Sequence, residues 1–312
     1  MKNRRTTHGV ALITALLITA ITSSLAIGLA WDNALDVRRT MVLLFHEQGA
    51  QIALGAESWI RIILRDDGID SATDHLGELW ASDLPGLPID SDTIQGAVTG
   101  KVEDLQGRFN VNNLIGRNDK INQPVLEQFQ RLLLILNLDP RLAGITADWI
   151  DENKEANFPD GAEDSIYTGF TPPYRTFNRA LTNITELSAL EGMDKASFDI
   201  LLPHVTALPG RTQINVNTAT PAVLRSLDEN LDDSAVERLL SERKEGGFAD
   251  YAKTFSTLLT PDMLAQITDS SSFFQLKAVV QIDTVRVTYF SVLLRSPDGG
   301  PVTTILRSLG TI

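Results

Sequence analysis

From Val10 to Trp31 the chain runs V-A-L-I-T-A-L-L-I-T-A-I-T-S-S-L-A-I-G-L-A-W without a charge or a proline. As a helix this stretch is roughly 31 Å long, enough to cross the hydrocarbon core of a bilayer. Beyond it, Trp31, Leu35, Val42, Phe45, Ile52, Ala56, Trp59 and Ile63 keep a helical spacing once Arg38 and Gly49 are counted as interruptions. The spacing predicts one continuous helix to about Arg65, with an apolar stripe that packs on a sheet or on a partner in a coiled-coil stalk. Arg65-Asp66-Asp67-Gly68 ends the pattern, and the Ser, Asp, Gly and Pro residues through Ser91 read as loop with one short helix near Leu76 to Trp80.

The period then changes to two. Ile94 to Asp104 and Arg108 to Val111 read as a pair of strands about a turn at Leu105-Gln106-Gly107. Helical spacing returns between Asn112 and Ser272, first at Leu126, Phe129, Leu132, Leu133 and Leu136, then at Ala143 to Ile150. Shorter helices follow at Ile184 to Leu190, Ala196 to Leu202, Pro221 to Leu227, Ala235 to Lys244 and Pro261 to Ile267. Gln275 to Ile282, Val285 to Leu294 and Val302 to Leu306 close the chain as a β meander, with Pro297-Asp298-Gly299-Gly300 as a turn. The order predicts an α+β fold: a long N-terminal helix packed on an antiparallel β-sheet, with a large all-α domain inserted between strands. The expected segments are 10–31 in the membrane, 32–65 as the helix continuation, 66–111 as the first part of the head, 112–272 as the insertion and 273–312 as the C-terminal meander.

The flanks of the apolar run decide its orientation. Lys2, Arg4 and Arg5 precede it, and basic flanks stay cytoplasmic, so the bulk of the chain belongs on the far side. A cleaved secretory signal has a shorter apolar core and a small-residue site after it, whereas Leu29-Ala30-Trp31-Asp32 continues into helix. A short basic leader ending in Gly9, directly before the apolar helix, resembles the type III signal of type IV pilins and pseudopilins. The resemblance implies a leader of residues 1–9, cut by a prepilin peptidase between Gly9 and Val10, with methylation of Val10. An uncut signal anchor is the alternative. Most members of that family carry Glu five residues into the mature chain; here the position is Thr14. A buried carboxylate there would pair with a neighbour's terminal ammonium inside hydrocarbon. A subunit without it suits a place with no subunit ahead of it.

The formal charge is -13, and loss of the leader's three cations makes it -16. Such a surface repels nucleic acid and attracts cations or basic partners. There is no cysteine, so disulfide and thiol chemistry are excluded. His8, His46, His75 and His204 have no zinc spacing. The helix, β pair, α block and β meander together resemble the K-type minor pseudopilins of bacterial type II secretion, the general secretion pathway protein K family, over nearly the whole chain.

Asp148 to Asp164 holds seven carboxylates against Lys154 alone. Asp151, Asn153, Glu155 and Asn157 alternate as in a calcium loop, and Asp160-Gly161-Ala162-Glu163-Asp164 adds a second cluster, although the EF-hand spacing is not met. On the residues alone, a solvated acidic loop and a cation loop both stay open. Gly161 to Asp164 followed by Pro172-Pro173-Tyr174-Arg175-Thr176 looks like the signature loop of K-type pseudopilins, which bind calcium in their heads. The resemblance therefore implies a structural calcium ion, with Asp151, Asp160, Glu163 and Asp164 as candidate ligands.

Leu187 to Met193 and Ile214 to Leu224 look like helix-hairpin-helix (SAM-like) units, with Thr218 placed as an N-cap and Pro221 in the first turn. DNA-binding hairpins need cations at phosphate, but residues 181–270 carry seven basic and fourteen acidic residues. They read as packing units, and no nucleic acid is expected. The sequence has no Walker loop, nucleophile elbow or zinc-hydrolase signature, so an enzyme is not supported. The resemblance implies an inner-membrane protein with a periplasmic head that joins I- and J-type minor pseudopilins at the pseudopilus tip and initiates assembly. Prepilin peptidase and the inner-membrane secretion platform are its other expected partners. The competing reading is a membrane-anchored protein whose hairpins bind DNA or a secreted substrate, and a third is a periplasmic hydrolase on an uncut anchor.

Overall fold

The computed structural model describes residues 8–91, 94–116, 119–157, 159–244, 246–297 and 299–310. The leader cations Lys2, Arg4 and Arg5 lie outside them. Helix α1 runs His8–Asp70 as one unbroken element. All side chains from Val10 to Leu44 are exposed, and burial begins only near Phe45. The expected apolar stripe of Ile52, Ala56, Trp59 and Ile63 is one step round from the face that is buried. That face is Gly49, Ala53, Glu57, Ile60 and Leu64. Small residues account for the offset, because α1 approaches the sheet closely there: a Cβ on Gly49 would stand 2.8 Å from Val287 Cγ2. The helix also continues a turn past Arg65, to Asp70.

Five antiparallel strands form the sheet beneath α1, in the order β1-β2-β7-β8-β9: Leu84–Ser91, Ile94–Asp104, Phe273–Ile282, Val285–Arg295 and Val302–Leu309. Alternation explains the core. Phe274, Leu276, Ala278, Val280 and Ile282 point to α1 from β7, and Val287, Tyr289 and Leu293 do so from β8. Strand β1 lies where loop was expected. The proline-rich sequence Leu84-Pro85-Gly86-Leu87-Pro88 hides it, and it is tolerated because β1 is an edge strand paired only with β2.

Between β2 and its neighbour β7 the chain builds a second core. Its helices are α2 (Gln123–Ile135), α3 (Leu142–Ile150), α4 (Asp164–Tyr167), α5 (Lys195–Leu201), α6 (Pro221–Ser226), α7 (Asp233–Arg243), α8 (Tyr251–Ser256) and α9 (Pro261–Leu264). Phe109 stacks on Phe129 at 4.9 Å, and α2 packs on α3 and α6. This block is not purely helical. The expected strand at Arg108 to Val111 is β3 (Phe109–Asn110), which pairs in parallel with β4 (Val205–Thr206) rather than with β2; β5 (Ile214–Asn215) pairs in the same sense with β6 (Ile267–Thr268). Ile184–Ala189 is 3-10 rather than α. The cap of α6 is Thr220, not Thr218, because Thr220 Oγ1 accepts from Val223 N.

Thr218 is taken instead by the joint between the two cores. Asp104, at the end of β2, accepts from Gln106 N (2.8 Å), Asn215 Nδ2 (3.0 Å), Ser271 Oγ (2.6 Å) and Thr218 Oγ1 (2.5 Å). Asn215 Nδ2 also reaches Asp74 O at 3.1 Å, and Ser271 N reaches Asp74 Oδ2 at 2.6 Å. Gly107 makes room, since a Cβ there would stand 2.6 Å from Thr218 Oγ1 and 2.9 Å from its backbone. No cation touches Asp104 in this set of bonds. Burial pushes its carboxyl up to about 6 despite the four donors.

Candidate functional site: a carboxylate pocket and a bare helix

The C-terminal end of α3 and the loop after it bring three buried carboxylates together. Asp148 and Asp151 lie three residues apart on α3 and its cap, hence on one face, and Glu163 returns to them as the cap of α4. They are 0%, 2% and 3% exposed. Asp148 accepts from Asn157 N (3.1 Å) and Asn157 Nδ2 (2.5 Å). Asp151 Oδ2 accepts from Asn153 Nδ2 (2.8 Å) and Asn157 Nδ2 (3.3 Å). Glu163 Oε2 accepts from Thr176 Oγ1 at 3.0 Å. Gly161 closes the turn, because a Cβ there would stand 2.2 Å from Asp148 Oδ2 and 2.4 Å from Asn157 N.

The electrostatics of this pocket are those of anions short of a counter-charge. Burial, followed by repulsion from Asp148, Glu163 and Asp119, pushes Asp151 up to about 7. Burial also raises Asp148 and Glu163. Asp151 Oδ1, Glu163 Oε1 and Asn178 Oδ1 are buried without a hydrogen-bond partner. Buried oxygens that lack donors, all carboxylate or amide and set on a loop, are the donor type a hard divalent cation such as calcium takes, although among the described residues the group whose oxygens lie within 4.8 Å of one another is a different one.

Of the four expected ligands, Asp151 and Glu163 share this pocket. Asp164 gives its carboxylate to Thr176 N (3.1 Å), Thr176 Oγ1 (3.0 Å) and Arg175 Nη1 (3.3 Å). Asp160 is only partly buried, and its charge adds to the hydrogen bond and charge of Asp139 in raising the pKa of Arg141. Asn157 belongs to the alternating oxygen set read from the sequence; Asp148 and Asn178 were not anticipated as ligands. The three-residue spacing of Asp148 and Asp151 was a usable signal for the first; nothing in the sequence pointed to Asn178.

A tighter acidic group is satisfied by protein. Among the described residues, oxygens of Asp67, Asp74 and Glu78 fall within 4.8 Å of one another. Arg295 fills that centre, donating to Asp67 Oδ2 (2.8 Å) and to both Asp74 oxygens (2.6 and 2.5 Å), while Glu78 accepts from Trp80 Nε1 (2.6 Å). It ties the end of α1 to β8.

The second feature is α1 itself. Val10 is 67% exposed, and Thr14 Oγ1 bonds back to Val10 O and Ala11 O, each at 3.0 Å. Where α1 meets the head it covers β7 and β8 more than β2. An apolar groove of about 250 Å³ is left between Ile52, Gly55, Ala56 and Trp59 of α1 and Leu87 and Val98 of the sheet. Trp59 is 43% exposed on its rim.

Two family models match the chain, each described as type II secretion system (T2SS), protein K, over residues 107–210 and 214–270. The Type II secretion system protein K of Pseudomonas aeruginosa is 32% identical, with 98% of this chain and 94% of that protein covered. That of Aeromonas hydrophila is 30% identical, with 96% of each covered. The fold is that of a chain in the GspK-GspI-GspJ complex from the type 2 secretion system of enterotoxigenic Escherichia coli. The TM-score is 0.77 at 23% identity, covering 88% of this chain and all of the other. With its long apolar N-terminal helix on an antiparallel sheet and relatives matched end to end, the chain belongs to the type II secretion system protein K family of pseudopilins.

Proposed function

We propose that this chain is a minor pseudopilin placed at the tip of the pseudopilus, where it assembles with I- and J-type partners and initiates the filament that drives export of folded proteins. The carrying observation is the bare length of α1. From Val10 to Leu44 every side chain is exposed, and the helix presents Leu35, Val37, Met41, Val42 and Leu44. Apolar side chains displayed on that scale are meant to be covered, the first part by lipid and the next by neighbouring helices. The groove beside Trp59 continues the same stripe onto the head. The complex formed by the enterotoxigenic Escherichia coli relative with its I and J partners supports the choice of occupants.

The tip assignment draws on Thr14 and on bulk. Thr14 is satisfied within its own helix and brings no carboxylate to pair with a subunit ahead. The α2–α9 block, which we read as a helix-hairpin-helix type insertion, makes a head too large to lie beneath another subunit. The same reading places the chain in the inner membrane with its head in the periplasm, as a substrate of prepilin peptidase at Gly9–Val10, in contact with the secretion platform and without catalytic activity. A structural calcium ion, held by Asp148, Asp151 and Glu163, would neutralise the acidic pocket and fix the loop around it. Co-expression with I- and J-type pseudopilins, followed by mass measurement of the purified assembly, tests the partnership. One copy of each is expected, and failure of this chain to co-purify with either partner overturns it.

A further inference from the structure

Helix α1 covers one face of the sheet, and the face turned away from it carries a row of like charge. Val102, Leu276 and Ala278 point to α1, so alternation sends Lys101 and Lys277 to the opposite face. The strand register sets these two lysines directly opposite each other, and Phe290 of β8 flanks Lys277 on its other side. Like charges so placed repel across the strands instead of stabilising them. The nearby acid does not cancel them. Glu103 lies two residues along β2, hence on the same face, and it takes both Lys101 Nζ, at 3.0 Å, and Arg108 Nη2. Burial would raise the Glu103 carboxyl, but the bond from Lys101 and the charges of Arg108, Lys101 and Lys277 hold it below its ordinary value. Among the described residues no carboxylate stands within ion-pair distance of Lys277; its ammonium lies 5.7 Å from the centre of the Phe290 ring. Three cations thus share one carboxylate, in a chain whose formal charge is -13.

The second core packs on this face at one end, where Leu208 meets Phe273 and Val292. Beyond that end Lys101 and Lys277 are exposed, and so is Thr99 in the next row, beside half-buried Val279 and Thr288. We propose that this face docks an acidic segment of a partner protein, with carboxylates over Lys101 and Lys277 and an apolar side chain laid along Val279 and Phe290. Charge complementarity selects the occupant. A carboxylate set between the two ammonium groups removes their repulsion, which Glu103 does for Lys101 alone. Long-range repulsion between two chains of charge -13 disfavours a second copy. A membrane surface is disfavoured by distance, because the exposed turns of α1 from Asp32 to Leu44 hold the head about 20 Å beyond the apolar span.

Fluorescence anisotropy with a labelled glutamate-rich peptide carrying a central phenylalanine, titrated with the full-length protein in non-ionic detergent, reads the face. Binding is expected to weaken by about tenfold from low to high salt. Lys277→Glu, which turns the pairing with Lys101 into one of opposite charge, is expected to weaken it by about tenfold and to melt at or above the wild-type temperature. Lys277→Thr keeps a strand-forming residue without the charge; it should weaken binding severalfold with melting unchanged. No binding of the glutamate peptide, undiminished binding to both variants, or equal binding of the same peptide with lysine for glutamate overturns the proposal. A melting temperature of Lys277→Thr well below wild type makes the lysine a structural residue and overturns it too. Displacement of the peptide by phosphatidylglycerol added to the micelles, or a dimer of wild type that Lys277→Glu abolishes, gives the face to lipid or to a second copy instead.

Discussion

Glu57 offers a quantitative test of how the helix is locked to the sheet. It lies in mid-α1, 1% exposed, with Oε1 accepting from Thr304 Oγ1 (2.7 Å) and Arg307 Nη2 (2.8 Å), and Oε2 from Tyr289 Oη (2.5 Å) and Arg307 Nε (3.1 Å). Burial alone would raise its carboxyl, but the bonds from Arg307, Tyr289 and Thr304 overcome it and hold the group at about 2 instead of 4.5. At about 1.4 kcal/mol per unit, that difference is worth about 3 kcal/mol of folding stability. Arg307 is half exposed, so salt screens part of this, and Glu57→Gln is expected to cost about 2 kcal/mol near neutral pH. A depressed carboxyl contributes fully above its unfolded pKa, and the contribution disappears as pH falls through the folded value. Urea denaturation of wild type and variant, followed by circular dichroism from pH 7 down to pH 2, should therefore show a gap that is constant above about pH 5 and closes toward pH 2. A gap below about 0.5 kcal/mol at pH 7, or one of equal size at both ends, refutes the lock.

Asp104 has the opposite sign. Its folded pKa is raised to about 6 from 3.8, so the folded protein gains stability as pH falls from above 6 toward 4, and Asp104→Asn should shrink that gain by up to about 3 kcal/mol in the same denaturation series. Equal pH slopes in wild type and variant contradict it. Gly49→Leu drives a side chain into Val287, whose Cγ2 is 2.8 Å from the Cβ position, and thermal melting should show a loss of about 1–3 kcal/mol. Chelation with EGTA at neutral pH should lower the melting temperature, by the equivalent of about 2.7 kcal/mol if calcium had been present at a hundred times its dissociation constant. A melting temperature indifferent to calcium at pH 7 counts against the site.

What the sequence revealed depended on how local the signal was. The long helix, β2, β7 and β8 were legible because their periods of 3.6 and 2 persist over many residues. Strand β1 was not, since Leu84-Pro85-Gly86-Leu87-Pro88 reads as loop and only pairing with β2 makes it a strand. The buried stripe of α1 was misread by one step because it includes Gly49 and the charged Glu57, whose partners Tyr289, Thr304 and Arg307 are more than 200 residues away in the chain. In the pocket, the family resemblance pointed to Asp151 and Glu163 together with Asp160 and Asp164, of which only the first two are joined there. The division of labour that turns Asp164 toward Thr176 and Arg175, and joins Asn178 to Asn153, is set by tertiary contacts with no local signature.

The tip position is tested most directly by labelling. In cells that carry the secretion system and overproduce the major pseudopilin, immunogold directed at the head of this chain should mark pseudopili at one end only, and deletion of the chain should sharply reduce their number. Label distributed along the filament shafts, or filaments equally numerous without the chain, would contradict the account.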